Sequence, residues 1–223
     1  MIGEKAVVIF SGGMDSITLL NYVKSLGYGV YGLSFNYGQK HVKELVFAKL
    51  WGQLECEEHK IINLDFMKDI ANDSALTGNK EMPKEHYTHE NQKVTVVPNR
   101  NMVMLSIAVA WAENLKTDKV FYGPHANDLT IYPDCRPVFV EAVSKASELA
   151  TFSEVKIFAP FVNITKSQIV ALGTKLGVDY SKTWSCYEGR DRACGKCGTC
   201  QERIEAFKEN ELIDPSPYEV VSY

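Results

Sequence analysis

The sequence has no apolar run long enough to cross a membrane. Its longest strongly apolar, uncharged stretch, Asn101 to Ala112, falls short of the ~20 residues a bilayer demands. It also lacks a basic excess. Lys and Arg number 24 against 28 Asp and Glu, a formal charge of −4. A protein that grips long nucleic acid through its phosphates usually carries a net basic face, so no stable nucleic-acid partner is expected. No internal repeat and no low-complexity tract interrupts the chain. The first residues lack a cleavage-like site. Glu4 and Lys5 lead into a short apolar run that reads as a first strand and not as a secretory signal. A reducing, cytoplasmic setting is the expected one.

What is present suits a folded chain. Hydrophobic residues make up 45% and charged residues 23% of 223 positions. This excludes a disordered, collagen-like or disulfide-scaffold protein. The length points to one domain, or one domain with a small appendage.

The pattern along the chain is strand, loop, helix, repeated. Lys5 to Phe10 is nearly all apolar, as expected of a strand buried on both faces. Further strands are predicted over Gly29–Phe35, Lys60–Leu64 and Lys119–Gly123. Helices are predicted over Ser16–Leu26, His41–Leu54, Asn101–Leu115, Pro137–Leu149, Thr165–Leu176 and Gln201–Asn210. Phe66 to Lys93 is polar, turn-rich and long for a plain connection, which suggests a flap or lid. Strands alternating with helices give an α/β fold, a doubly wound, mostly parallel sheet with helices on both faces. Ligands bind such sheets at the carboxyl ends of the strands.

The sharpest local signal follows the first strand: Ser11-Gly12-Gly13-Met14-Asp15-Ser16. Two glycines let backbone N–H groups approach an anion without a Cβ in the way. The helix that follows aims its unpaired N–H groups and positive dipole end at the same spot. The Gly-Lys-Ser/Thr ending of a Walker loop is missing, and so is G-x-G-x-x-G. A dinucleotide site is therefore disfavoured, and phosphate binding by the loop is the favoured reading. The plain alternative is a strand-to-helix turn capped by Asp15 or Ser16.

Six cysteines occur, and Cys186, Cys194, Cys197 and Cys200 fall in one short window. Four soft ligands suit a closed, tetrahedral, structural zinc site. An iron–sulfur cluster shares the C-x2-C-x2-C core but places its fourth cysteine afterwards; unligated thiols are the third reading. Arg190, Arg192, Lys196 and Arg203 offset the charge of the cluster. Cys56 and Cys135 read as buried, inert thiols.

The phosphate loop resembles that of the N-type ATP pyrophosphatases, which activate a carboxylate, amide or carbonyl oxygen with ATP. Further segments narrow the resemblance. They are Tyr37-Gly38-Gln39-Lys40-His41, Val97-Pro98-Asn99-Arg100-Asn101, Gly123 to Asp128, Tyr132-Pro133-Asp134-Cys135-Arg136 and Thr183-Trp184-Ser185-Cys186-Tyr187. Together with the cysteine cluster they resemble the 7-cyano-7-deazaguanine synthase family of queuosine biosynthesis. The match runs from Val7 to Arg203. Two departures stand out. Asn99 replaces the usual glycine of V-P-G-R-N, although Asn tolerates positive φ better than most residues. The stretch Gly123 to Ile131 also differs from the commoner D-x-S-G form.

The resemblance implies an ATP-binding domain over 1–180, of the adenine nucleotide alpha hydrolase-like fold. A zinc-binding segment and tail over 181–223 would pack on that same domain. It implies a carbon–nitrogen ligase that joins 7-carboxy-7-deazaguanine and free ammonia, since no glutaminase signature is present. It implies a homodimer. Phe10, Ser11, Gly12, Gly13, Met14, Asp15 and Ser16 would hold ATP with Mg²⁺, and the adenine would lie near Leu33 and Phe35. Asp15, Arg100, Arg136 and Lys166 are the candidate catalytic groups for two anionic substrates. Asp128 and Asp134 are candidate readers of the paired ring donors, or loop caps. Tyr132 would stack on the ring or fill core. His41 and His125 would orient phosphate or handle ammonia protons, or be structural. Two other readings stay open: a tRNA-thiolating or amide-forming relative, and a zinc-containing nucleotide-binding module without turnover.

Overall fold

The computed structural model describes residues 3–78, 92–188 and 191–219. Five strands form one sheet: β1 (Lys5–Ile9), β2 (Gly29–Asn36), β3 (Glu58–Asn63), β4 (Lys119–Phe121) and β5 (Lys156–Phe158). The order is β3-β2-β1-β4-β5, and every neighbouring pair is parallel. Central β1 pairs Val8 with Gly32 on one side and with Phe121 on the other.

Parallel strands need crossovers, and helices supply them. They are α1 (Met14–Ser25), α2 (Glu44–Glu55), the single turn α3 (Met67–Ile70), α4 (Arg100–Leu115), α5 (Pro137–Ala150), α6 (Lys166–Lys175) and α7 (Gly198–Glu209). The period of two along β1 divides the core. Ala6, Val8 and Phe10 face a cluster with Ile17 and Leu20 of α1, Trp51 of α2, Ile169 of α6 and Phe207 of α7. Val7 faces the other layer, with Leu105 and Ala108 of α4 and Val143 of α5. Each large side chain so buried contributes about 1.5–3 kcal/mol.

Several elements differ from the sequence reading; α1 starts at Met14, β4 ends at Phe121 and α7 starts at Gly198. α2 starts at Glu44 and not at His41, because the preceding residues wind more tightly. Glu44, Leu45 and Val46 each donate to the carbonyl three residues back, at 3.1, 2.9 and 3.1 Å. β3 begins at Glu58. β5 is a strand that the sequence reading did not contain. Of the lid expected over 66–93, residues 79–91 lie outside the described residues. Before them, Met67, Ala71 and Leu76 are buried against the β1–α4 layer.

Chain order reverses between β1 and β4. The loops leaving their carboxyl ends diverge and open a crevice, the usual ligand position in this architecture.

Candidate functional site

The loop after β1 is held by its own serines. The Ser11 N–H donates to Ser16 Oγ at 3.1 Å, and Ser16 Oγ donates to the Gly13 carbonyl at 3.0 Å. The first intrahelical bond of α1 runs from Ile17 N–H to the Gly13 carbonyl. The N–H groups of Met14, Asp15 and Ser16 therefore have no intrahelical partner. No side chain caps this helix end. The two glycines differ in what they do. Gly12 has φ +92°, and a Cβ there would lie 2.2 Å from the Glu44 carbonyl oxygen. Its role is to let the loop abut α2. Gly13 lines the cleft, and the nearest atom to a Cβ there is Ser11 Oγ at 3.5 Å.

A cavity of about 280 Å³ lies between this loop and the segment following β4. Among the described residues, four buried side-chain atoms find no hydrogen-bond partner: Asp15 Oδ1, His41 Nδ1, Tyr122 OH and His125 Nδ1. All four belong to residues that line this cavity. Folded proteins pair nearly all such groups. Their concentration here marks a surface that a polar ligand completes.

Two partly buried cations face the same space. Lys166, at the start of α6, pairs with Glu202 of α7. Burial opposes its charge, but Glu202, Asp15 and Asp128 outweigh that and hold the ammonium above its usual pKa. Arg100, at the start of α4, donates to the Tyr37 hydroxyl at 2.9 Å. Burial works against its charge too, and Tyr37 and Asp134 more than compensate. Burial pushes the Tyr37 phenol up to about 12, with Arg100 pulling the other way. At neutral pH the pair is thus one full positive charge beside a neutral phenol. His125 lies between two carboxylates. Its Nε2 is 3.7 Å from Asp15 Oδ2 and its Nδ1 is 3.4 Å from Asp128 Oδ2.

The fold brings Phe10, Ser11, Gly13, Met14, Asp15, Ser16, Phe35, Arg100, Asp128 and Lys166 to this cavity. It does not bring Gly12, Leu33, Tyr132, Asp134 or Arg136 to its lining. Leu33 is core. The Tyr132 hydroxyl bonds to Thr95 Oγ1 at 2.6 Å. Asp134 Oδ2 accepts the Asn101 N–H at 2.9 Å and so caps the first turn of α4. Arg136 is exposed, with Nε donating to the Leu129 carbonyl. Asn99 takes φ +57° and starts α4 in the left-handed region that its residue type tolerates.

Sequence reasoning missed Glu44, Tyr122 and Glu202. Glu44 has one faint signal, its place at the start of a helix after the Tyr37–His41 segment. Tyr122 and Glu202 are joined to the site only by the fold.

The second half of the site is the cysteine segment. The four Sγ atoms of Cys186, Cys194, Cys197 and Cys200 lie within 4.8 Å of one another, and all four residues are buried. Backbone N–H groups of Glu188, Cys194, Lys196 and Cys197 approach sulfur at 3.3–3.4 Å. Such donors favour thiolate over thiol. The donor set fits one metal ion that prefers soft ligands. The segment also walls the cleft. The Trp184 N–H donates to the Gly12 carbonyl at 2.9 Å, and Trp184, Ser185, Tyr187 and Thr199 line the cavity. Cys135 is buried, and burial with Asp128 and Asp134 nearby raises its thiol pKa. It is protonated at neutral pH and is a poor nucleophile.

The family model described as queuosine biosynthesis protein QueC matches residues 5–211. The chain belongs to this family. A 7-cyano-7-deazaguanine synthase 1 of Colwellia psychrerythraea is 50% identical over 218 residues, covering 98% of this chain and all of that relative. The 7-cyano-7-deazaguanine synthase of Caldicellulosiruptor saccharolyticus is 52% identical over 216 residues, 97% of this chain and 96% of its own. That of Pseudoalteromonas translucida is 50% identical over 217 residues, 97% and 99%. A QueC-family chain therefore carries a phosphate-type loop, two partly buried cations and a cysteine-lined wall around one cleft. No described helix is long and apolar enough to cross a membrane.

Proposed function

We propose that this chain is an ATP-dependent carbon–nitrogen ligase that converts 7-carboxy-7-deazaguanine and ammonia into 7-cyano-7-deazaguanine. The observation that carries the reading is near-complete, half-identical overlap with synthases of that name. The cleft supports it chemically.

A carboxylate oxygen is a poor leaving group. Transfer of a nucleotidyl or phosphoryl group from ATP makes it a good one. Ammonia then displaces it to give the amide. A second activation, now of the amide oxygen, and its loss give the nitrile. One loop can serve both activations, because each acts on an oxygen at the same ring substituent. Catalysis of this kind is mostly positioning and charge neutralisation.

In this reading the N–H groups opening α1, with Ser11 and Ser16, hold the ATP phosphates. The purine lies toward Phe35. Asp15 presents a carboxylate to Mg²⁺, which neutralises phosphate charge when bound. Arg100 and Lys166 meet the anionic substrates. Between the two ring readers, Asp128 is the one on the cleft, whereas Asp134 is engaged with α4. Arg136 acts from outside the cavity lining or not at all. The four cysteines hold one structural Zn²⁺, which leaves no open position for chemistry. A homodimer in the cytoplasm completes the assignment.

ATP consumption tests it. Turnover should require both the deazapurine acid and ammonium. Asp15→Ala should lower it by about 10²-fold or more, as expected for loss of transition-state charge stabilisation. ATP turnover that ignores the deazapurine would refute the substrate.

A further inference from the structure

The chain leaves β2 through Tyr37-Gly38-Gln39 and turns into α2. This bend assembles three buried polar side chains. His41 Nε2 lies 3.2 Å from Glu44 Oε1. Gln39 Nε2 donates to the same oxygen at 3.0 Å and to the Phe35 carbonyl at 3.2 Å. Gln39 Oε1 in turn accepts the Tyr37 N–H at 2.9 Å. The carboxylate is thus held from two sides. The Tyr187 ring packs on the imidazole with centroids 4.8 Å apart.

These contacts select the tautomer of the neutral ring. An ionised carboxylate only accepts, so Nε2 carries the hydrogen and Nδ1 carries the lone pair. That Nδ1 is buried and lacks a partner among the described residues. His41 and Glu44 both line the cleft. The Glu44 carbonyl also abuts Gly12, so the dyad starts beside the phosphate loop. A base oriented by an acceptor, next to the centre that is attacked, is the general arrangement of acid–base catalysis.

We propose that His41 is the general base of the nitrogen-transfer step and that Glu44 positions it. This rests on the ligase reading above. The ammonia lone pair forms the new C–N bond at the activated carboxyl carbon, and the carbonyl π pair moves onto oxygen. His41 Nδ1 removes one proton from the ammonium nitrogen so formed. The carbonyl then re-forms and expels the activated oxygen with its nucleotidyl or phosphoryl group. The amide remains. Nothing is oxidised or reduced.

Hydroxylamine supplies the test, because it is the stronger nucleophile and depends less on a base. His41→Gln and Glu44→Gln are compared with the unmodified protein, using ammonium or hydroxylamine with ATP and 7-carboxy-7-deazaguanine. Amide plus nitrile is read in the first case and hydroxamate in the second. With ammonium, kcat should fall by about 10²–10⁴-fold in His41→Gln, the usual worth of a general base. With hydroxylamine the loss should be much smaller. Glu44→Gln should show the same split to a lesser degree. Equal losses with both nucleophiles, or no loss, would overturn the proposal. If His41→Gln does not fold, the split in Glu44→Gln decides. If the unmodified protein makes neither product, the ligase reading fails instead.

Discussion

At the scale of single residues, neighbouring positions in one motif divide their labour. Gly12 and Gly13 look equivalent in the sequence. Gly12 has positive φ and no room for a Cβ beside a backbone oxygen, whereas Gly13 has extended backbone and space. Gly12→Ala should therefore destabilise the fold by about 1–3 kcal/mol, the scale of local backbone strain. Gly13→Ala should leave thermal unfolding nearly unchanged and weaken nucleotide binding. Calorimetry and nucleotide titration on both variants separate the effects. The phosphate-type loop was readable because its chemistry is local: one strand, two glycines, one helix start. The Lys166–Glu202 and His41–Glu44–Gln39 contacts were less readable. The first spans 36 positions, and the second depends on a tight turn that delays α2. Asp134 shows the opposite limit. Its sequence context suits a ring reader, and the fold commits one of its oxygens to the first turn of α4.

At the scale of elements, α7 ties the cysteine segment to the sheet. Arg203 is the largest fully buried side chain among the described residues. It donates to Asp214 through Nε at 2.8 Å and a terminal nitrogen at 3.0 Å, and to Thr183 Oγ1 at 2.7 Å. Removing one partner leaves a buried charge uncompensated. Asp214→Ala should cost about 3–5 kcal/mol, lowering Tm by about 6–20 °C for a chain of this size. A Tm unchanged within a degree would contradict this burial. The cysteines act on the same wall. Stripping the metal with a chelator should release one equivalent of Zn²⁺ per chain. It should also change Trp184 fluorescence, since Trp184 bonds to both the Cys186 carbonyl and Gly12. Most helices and the central strands were legible from apolar runs and glycine stops. β5 was not, because Lys156–Phe158 buries only its middle residue. A pattern that short is indistinguishable from loop until its neighbour pairs with it.

At the scale of the whole molecule, one parallel sheet, covered on both faces, supports a cleft at its reversal point. The two layers share an alkaline weakness. Tyr37 in one layer and Tyr180 in the other are both pushed up to about 12 by burial, from 10.0. Between those values the unfolded chain loses protons that the folded one keeps. Stability is therefore full below pH 10 and falls as pH rises toward 12. Urea midpoints at pH 8, 10 and 11 should decline in that order, and Tyr37→Phe should flatten the decline. The account's central claim is the reaction itself. Its most direct test is mass spectrometry of the product formed by purified, zinc-loaded protein from 7-carboxy-7-deazaguanine, ammonium, ATP and Mg²⁺. The account predicts the 7-cyano base, carrying label from ¹⁵N-ammonium and missing in Asp15→Ala. Unchanged acid beside nucleotide-binding protein would contradict it.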